Sequence, residues 1–174
     1  MSEDPRFRAA IRDVPDFPKP GIVFKDITPV LADAELFRAS IAAFAEQLKG
    51  LGVQKVVGID ARGFIFGAAL AYALGVGFVP IRKKGKLPWK TQSVPYALEY
   101  GEATVEMHMD GVCNGEKVVL IDDVLATGGT AAAALQLLRG CGAEVVAVQF
   151  FLELGFLKGR QKLGEARIET LVVF

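Results

Sequence analysis

Two hydrophobic periods alternate along the chain. In residues 33–48, Phe37, Ile41, Phe44 and Leu48 recur on one helical face, with Asp33 placed to open a helix and Gly50 or Gly52 to end it. Residues 53–59, 77–81, 117–121, 144–151 and 167–173 are short β-rich runs and predict strands. Between them, 63–74 is small and apolar and predicts a buried helix, and 130–139 predicts another. Ala103, Val105 and Met107 alternate with polar neighbours, as in a half-exposed strand. Near the start, Ser2 as a cap, Pro5 in a first turn and the stripe Phe7, Ala10, Ile11 predict a short helix. The proline-rich stretch 14–21 cannot continue it and reads as irregular chain. Residues 83–98 carry Gly85, Pro88 and Pro95 without a period and read as a long mobile loop. Loops of that length inside compact domains are usually functional or disordered.

Strands alternating with helices predict an α/β fold, a mainly parallel sheet flanked by helices on both faces. No repeat, low-complexity tract or linker interrupts the 174 residues, so 1–174 reads as one domain. Ligands of such sheets bind beyond the carboxyl ends of the strands. The segments after Asp60, Ile81 and Asp123 are therefore the places to look.

Composition narrows the partners. Twenty basic and 20 acidic residues cancel to a formal net charge of +0, which argues against a nucleic-acid partner. No apolar run is long enough for a transmembrane helix, and the polar, acidic first residues lack the form of a secretory signal, so no membrane partner is expected. Cys113 and Cys141 have no CxxC spacing, which suits a reducing, cytoplasmic setting without a disulfide framework or zinc site. His108, the sole histidine, lies away from every motif and is expected to be structural or exposed.

The chemistry concentrates in residues 118–130, VVLIDDVLATGGT. A buried strand delivers Asp122 and Asp123 to the sheet edge; a short loop through Ala126, Thr127, Gly128 and Gly129 follows, and a helix begins at Thr130. Backbone N–H groups of such a loop, together with the positive end of the helix, suit a phosphate. The paired acids suit the hydroxyls of a sugar, or an ion bound with them. Phosphate plus sugar diol describes a ribose 5-phosphate. Neither a GxxxxGK[ST] nor a GxGxxG pattern is present. The segment resembles the phosphoribosyl pyrophosphate signature of type I phosphoribosyltransferases, in which the two acids face the ribose hydroxyls and the loop holds the 5-phosphate.

Further segments make the chain similar to the adenine phosphoribosyltransferase family along nearly its whole length. They are 15–18 (PDFP), 20–29 (PGIVFKDITP), 60–64 (DARGF), 82–88 (RKKGKLP), 98–101 (LEYG), Glu153-Leu154 and 157–160 (LKGR). The resemblance implies the type I fold with a small N-terminal hood over 1–32 and a flexible lid over 83–98. It implies that Phe24 and Leu154 sandwich adenine while Val23 and Lys25 lie at the base-binding segment, the backbone of Val23 reading the base edge. Without the resemblance, Phe24 reads first as core packing. Asp60, Ala61, Arg62 and Gly63 correspond to the pyrophosphate loop, with a cis peptide expected between Asp60 and Ala61. Arg82, Lys83 and Lys86 form a basic cluster that would balance substrate and leaving-group charge; without a neighbouring pyrophosphate they would be a solvated charge run. Glu99 is the implied proton-transfer residue, and Tyr100 beside it an aid to the lid or the phosphates. Mg2+ is implied, held mainly by substrate oxygens, as is a homodimer.

The implied activity is transfer of a 5-phosphoribosyl group from phosphoribosyl pyrophosphate to adenine. A phosphoribosyltransferase for another base and a regulatory protein that senses phosphoribosyl pyrophosphate are the rivals. The segments around Phe24, Glu99 and Leu154 speak against the first. The lack of a DNA-binding module or basic face speaks against a DNA-binding form of the second, and Glu99 with a complete pyrophosphate loop favours catalysis over an RNA-binding one.

Overall fold

The computed structural model describes residues 4–97 and 102–174. The chain opens with helix α1 (Pro5–Ala10), strands β1 (Arg12–Pro15) and β2 (Val23–Asp26), and helices α2 (Thr28–Ala32) and α3 (Ala34–Gln47). There follow β3 (Lys55–Ile59), α4 (Gly63–Leu74), β4 (Gly77–Lys83), β5 (Thr91–Ala97), β6 (Glu102–His108), β7 (Lys117–Leu125) and α5 (Gly129–Gly140). Strand β8 (Glu144–Glu153), two 3₁₀ turns (Gly155–Leu157 and Gly159–Leu163) and β9 (Ile168–Val173) complete it.

Among the described residues one seven-stranded sheet runs in the order β5-β6-β4-β3-β7-β8-β9. The pairs from β4 through β9 are parallel, and β6 and β5 add antiparallel at one end. Alternation along each strand sends side chains to opposite faces. Val57, Val118 and Leu120 thus join the core beneath α5, whereas Val56, Val119 and Ile121 join the core beneath α1, α3 and α4. Burial on both faces is why 117–121 reads as an unbroken apolar run. In the second core Phe66 stacks on Phe151, with centroids 5.3 Å apart and an interplanar angle of 6°. Phe7 meets Phe151 edge-on at 5.5 Å.

Helix α3 begins where expected, with the Asp33 carboxylate accepting from the Glu35 and Leu36 amides at 2.9 Å each. Elsewhere the structure corrects the sequence pattern. Asp4 caps α1, its carboxylate accepting from the Arg6 amide at 3.0 Å; Ser2 lies outside the described residues. Of the stretch expected to be irregular, Val14 and Pro15 belong to the β1–β2 ladder, pairing with Phe24 and Val23.

The expected loop over 83–98 is a turn followed by strand β5, paired with β6 from Thr91↔His108 to Ala97↔Glu102. Pro95 obscured that strand, yet β5 lies at the sheet edge, where proline is tolerated because only one side of the strand is paired. Strand β6 is also less exposed than its alternation suggests. Val105 and Met107 are buried, and Glu106, on the opposite side, is only 4% exposed.

Replacing Phe151 by Ala removes the Phe66 stack and the Phe7 edge contact together. Urea unfolding of Phe151→Ala should show a loss of about 3–5 kcal/mol.

Candidate active site

The carboxyl ends of β3, β4 and β7 converge on a cleft of about 510 Å³. Asp60, Ala61 and Arg62 follow β3, Arg82 and Lys83 end β4, and Asp122 and Asp123 lie on β7. Ala126 and Thr130 come from the turn into α5, Phe24 from β2, and Leu154 from the segment after β8. Strand β7 runs on to Leu125, because Val124 and Leu125 still pair with Leu152 and Glu153 of β8. The two acids therefore sit within the strand rather than at its end, and the turn after it is shorter than the sequence suggests.

Every arginine in the cleft is matched to an acid. Arg82 Nε donates to Asp60 Oδ2 at 3.0 Å. Arg62 Nε donates to Asp123 Oδ2, and its guanidinium lies 5.5 Å from the centroid of the Phe24 ring. Phe24 is held from another side by the edge of Phe17, 5.3 Å away. Lys83 adds an exposed cation with no ion pair among the described residues. The Asp60–Ala61 peptide is cis, as the resemblance implies.

Asp122 keeps some solvent contact along the cleft, but its carboxyl is surrounded by protein atoms. Burial raises its pKa well above the usual carboxylate range, and the neighbouring Asp123 carboxylate pushes the same way. The Asp123 amide donates to Asp122 Oδ1 at 2.8 Å and partly offsets the effect. Gly63 opens α4 against this carboxyl; a Cβ there would lie 2.8 Å from Oδ1.

The turn into α5 depends on a contact between two glycines. Gly128 has φ +77°, a left-handed conformation natural to glycine. Gly159 packs on it so closely that a Cβ on Gly159 would lie 2.2 Å from the Ala126 carbonyl oxygen and 3.1 Å from the Gly128 nitrogen. Arg160 anchors this second segment, its Nε donating to both oxygens of buried Glu153 at 2.8 Å. The segment 157–160 thus buttresses the turn. Only a glycine falling where two loops meet could have signalled this in the sequence.

Most of the expected site residues come together. Val23, Lys25, Gly63, Lys86, Thr127, Gly128 and Gly129 do not line the cleft itself. Val23 is half exposed on β2, and Thr127, Gly128 and Gly129 form the backbone turn and helix start beside it. Lys25 points away, its Nζ 2.6 Å from Asp13 Oδ1 and 4.2 Å from the centroid of the Phe174 ring. Glu99 and Tyr100 lie outside the described residues. Ile59, Ile81, Tyr96, Val105 and Val124 line the cleft without having been singled out. Strand-end position would have found Ile59 and Ile81, whereas Tyr96 was hidden in the supposed loop. His108 is half-buried beside Trp89, away from the cleft.

Two outcomes test this geometry. Because the folded Asp122 carboxyl holds its proton more tightly than the unfolded chain does, its ionisation lowers stability as pH rises through the folded value. Asp122→Asn should therefore be more stable than the parent at pH 8 in urea unfolding, with the gap closing as pH falls towards about 4. A gap independent of pH would refute the assignment. Gly159→Ala must displace the Ala126–Gly128 turn and should weaken ribose 5-phosphate binding about tenfold in a calorimetric titration.

The phosphoribosyl transferase domain family matches residues 31–165. An adenine phosphoribosyltransferase of Anaeromyxobacter dehalogenans is 58% identical over 167 residues, covering 96% of this chain and 97% of that protein. The crystal structure of adenine phosphoribosyltransferase from Thermoanaerobacter pseudethanolicus superposes with a TM-score of 0.95 at 50% identity, covering 98% of this chain and 99% of that one. The enzyme from Saccharomyces cerevisiae, complexed with an imino-altritol bisphosphate and adenine, gives a TM-score of 0.92 at 41% identity, covering 96% and 97%. With Asp122, Asp123 and the turn into α5, the basic strand end and the Phe24–Leu154 pair meeting in one cleft, these matches show that the chain belongs to the adenine phosphoribosyltransferase family of type I phosphoribosyltransferases.

Proposed function

We propose that the protein transfers the 5-phosphoribosyl group of phosphoribosyl pyrophosphate to adenine, giving AMP and pyrophosphate in purine salvage. The observation that carries this reading is the meeting of three chemistries in one cleft. Asp122, Asp123 and the Ala126–Thr130 turn suit a ribose 5-phosphate, Arg62, Arg82 and Lys83 suit a pyrophosphate, and Phe24 with Leu154 suits a flat base.

In the reaction, the bond from the anomeric carbon to pyrophosphate breaks as a base nitrogen forms its bond to that carbon. Positive charge develops on the sugar, and negative charge on the leaving pyrophosphate. Arginine and lysine at the ends of β3 and β4 offset the second charge, and preorganised donors need no reorientation as it grows. The nearby carboxylates Asp122 and Asp123 hold the ribose hydroxyls and favour the cationic sugar. Adenine gives up a proton from its attacking nitrogen, and Glu99 assists by hydrogen bonding or proton exchange at a ring nitrogen. The turn after β4 and strand β5 form one wall of the site and help to keep water from the activated sugar.

Magnesium suits this arrangement as a companion of the substrate. Among the described residues no three Asp, Glu, His or Cys side chains gather to hold it. Pyrophosphate and ribose oxygens would supply most of its hard donors, while Asp122 and Asp123 would hold the ribose hydroxyls. When bound, it neutralises charge on the pyrophosphate.

The working unit is a homodimer. Ile65 and Tyr72, seven residues apart on α4, share an outer face and are 43% and 91% exposed. Free thiols at Cys113 and Cys141 suit a cytoplasmic location. Residues 1–174 act as one domain, with 1–32 as the hood.

The test supplies purified protein with phosphoribosyl pyrophosphate, magnesium and one base at a time. AMP should form from adenine and no nucleotide from hypoxanthine, guanine or orotate. Glu99→Ala should abolish turnover while calorimetry still detects phosphoribosyl pyrophosphate binding. Product from a different base would retain the ribose-phosphate site and overturn the Phe24–Leu154 assignment.

A further inference from the structure

Glu106 is a buried acid that the reaction described above does not use. It sits on β6, opposite Arg82 of β4 in the antiparallel ladder and opposite Ser93 of β5. Its Oε1 accepts from three successive backbone amides, those of Gly85 at 2.9 Å and of Lys86 and Leu87 at 3.1 Å each. Thr91 Oγ1 donates to its Oε2 at 3.2 Å. A carboxylate that receives several amide hydrogen bonds is held firmly and in turn fixes the backbone that donates them.

The clamped turn is joined to the cleft by a second set of bonds. The Lys86 carbonyl accepts from Arg82 Nη1 at 3.2 Å, while Arg82 Nε donates to Asp60 Oδ2 at 3.0 Å. The guanidinium is therefore gripped from two sides, by the turn and by the loop after β3. Glu106 touches neither the cleft nor Arg82 through its carboxylate, yet it sets where the Lys86 carbonyl lies.

The geometry points to Glu106 as a positioning residue for pyrophosphate recognition, acting through the 85–87 turn to aim the Arg82 guanidinium into the cleft. This rests on the phosphoribosyl transfer reading and adds a determinant of donor affinity to it. Gln at this position is nearly isosteric. Its amide oxygen can accept the same three N–H groups, and its NH2 can donate to the Thr91 hydroxyl, which serves as either donor or acceptor. Ala removes every one of these bonds.

Glu106→Ala and Glu106→Gln, made in the full chain, test the inference by calorimetric titration with phosphoribosyl pyrophosphate, steady-state kinetics in each substrate, and hydrogen exchange. Glu106→Ala should weaken phosphoribosyl pyrophosphate binding and raise its KM about tenfold, leaving the KM for adenine within about twofold. Protection of the Gly85, Lys86 and Leu87 amides should fall in the same variant. Glu106→Gln should restore both protection and donor affinity to within about threefold of the parent. An unchanged donor KM in Glu106→Ala, an equal rise in both KM values, or a Gln variant as defective as Ala would overturn the inference. Should Glu106→Ala fail to fold, Glu106→Asp takes its place, since its shorter carboxylate withdraws from the three amides and must reproduce the selective loss of donor affinity. The titration does not need turnover. Parent protein that binds phosphoribosyl pyrophosphate but makes no AMP would sink the transfer reading alone, and parent protein that does not bind it would sink both.

Discussion

The register between β3 and its two parallel neighbours is the constraint on which the site depends. Gly58 pairs with Ile121 and Ile59 with Ile81. One step beyond the second pair are Asp60 and Arg82, which bond to each other, and two steps beyond the first are Asp60 and Asp123. The Asp60 amide donates to the Ile81 carbonyl at 2.9 Å and extends this alignment into the loop. Side chains alternate with period two, so a slip of one residue would turn the acids and Arg82 to the wrong face. The slip is opposed by the cores on both sides, since it would also drive Val57, Leu120 and Ile81 out of one core and Val56, Val119 and Ile121 out of the other.

That frame brings three cations and three acids into one cleft, Arg62, Arg82 and Lys83 with Asp60, Asp122 and Asp123. Their balance is local: Arg82 is held on Asp60 and Arg62 on Asp123. Both cations also suit the pyrophosphate of the proposed substrate, and Asp123 its ribose. Binding then exchanges protein ion pairs for substrate contacts instead of filling an unpaired charge.

The elements that were legible in the sequence are those whose patterns have a single cause. Helix α4 occupies the predicted 63–74 because small apolar residues in a helix buried among other elements leave one reading. The cap at Asp33 was visible because its side chain acts on amides two and three residues away. The 122–130 motif was visible because acids, small residues and a helix start are contiguous. Strand β5 was missed because Pro95 is a valid strand breaker except at an edge, and edge position is a property of the whole sheet. Burial of Glu106 was missed for the same reason. Its partners are backbone amides some 20 residues away, and amides carry no sequence signal.

Those two omissions concern one region, and the region explains why the cleft has a floor at its basic side. Val94 and Tyr96 of β5 pack on the core beneath α5, and Tyr96 also borders the cleft. The β5–β6 ladder holds Glu106 in place, Glu106 holds the 85–87 turn, and the turn holds Arg82. A flexible loop alone could bring lysines near a pyrophosphate, but it would have to lose conformational freedom each time a ligand arrived. An edge strand that anchors one end of that loop settles most of this cost during folding. The basic side of the cleft is then formed at its base before any ligand arrives, as preorganised recognition requires.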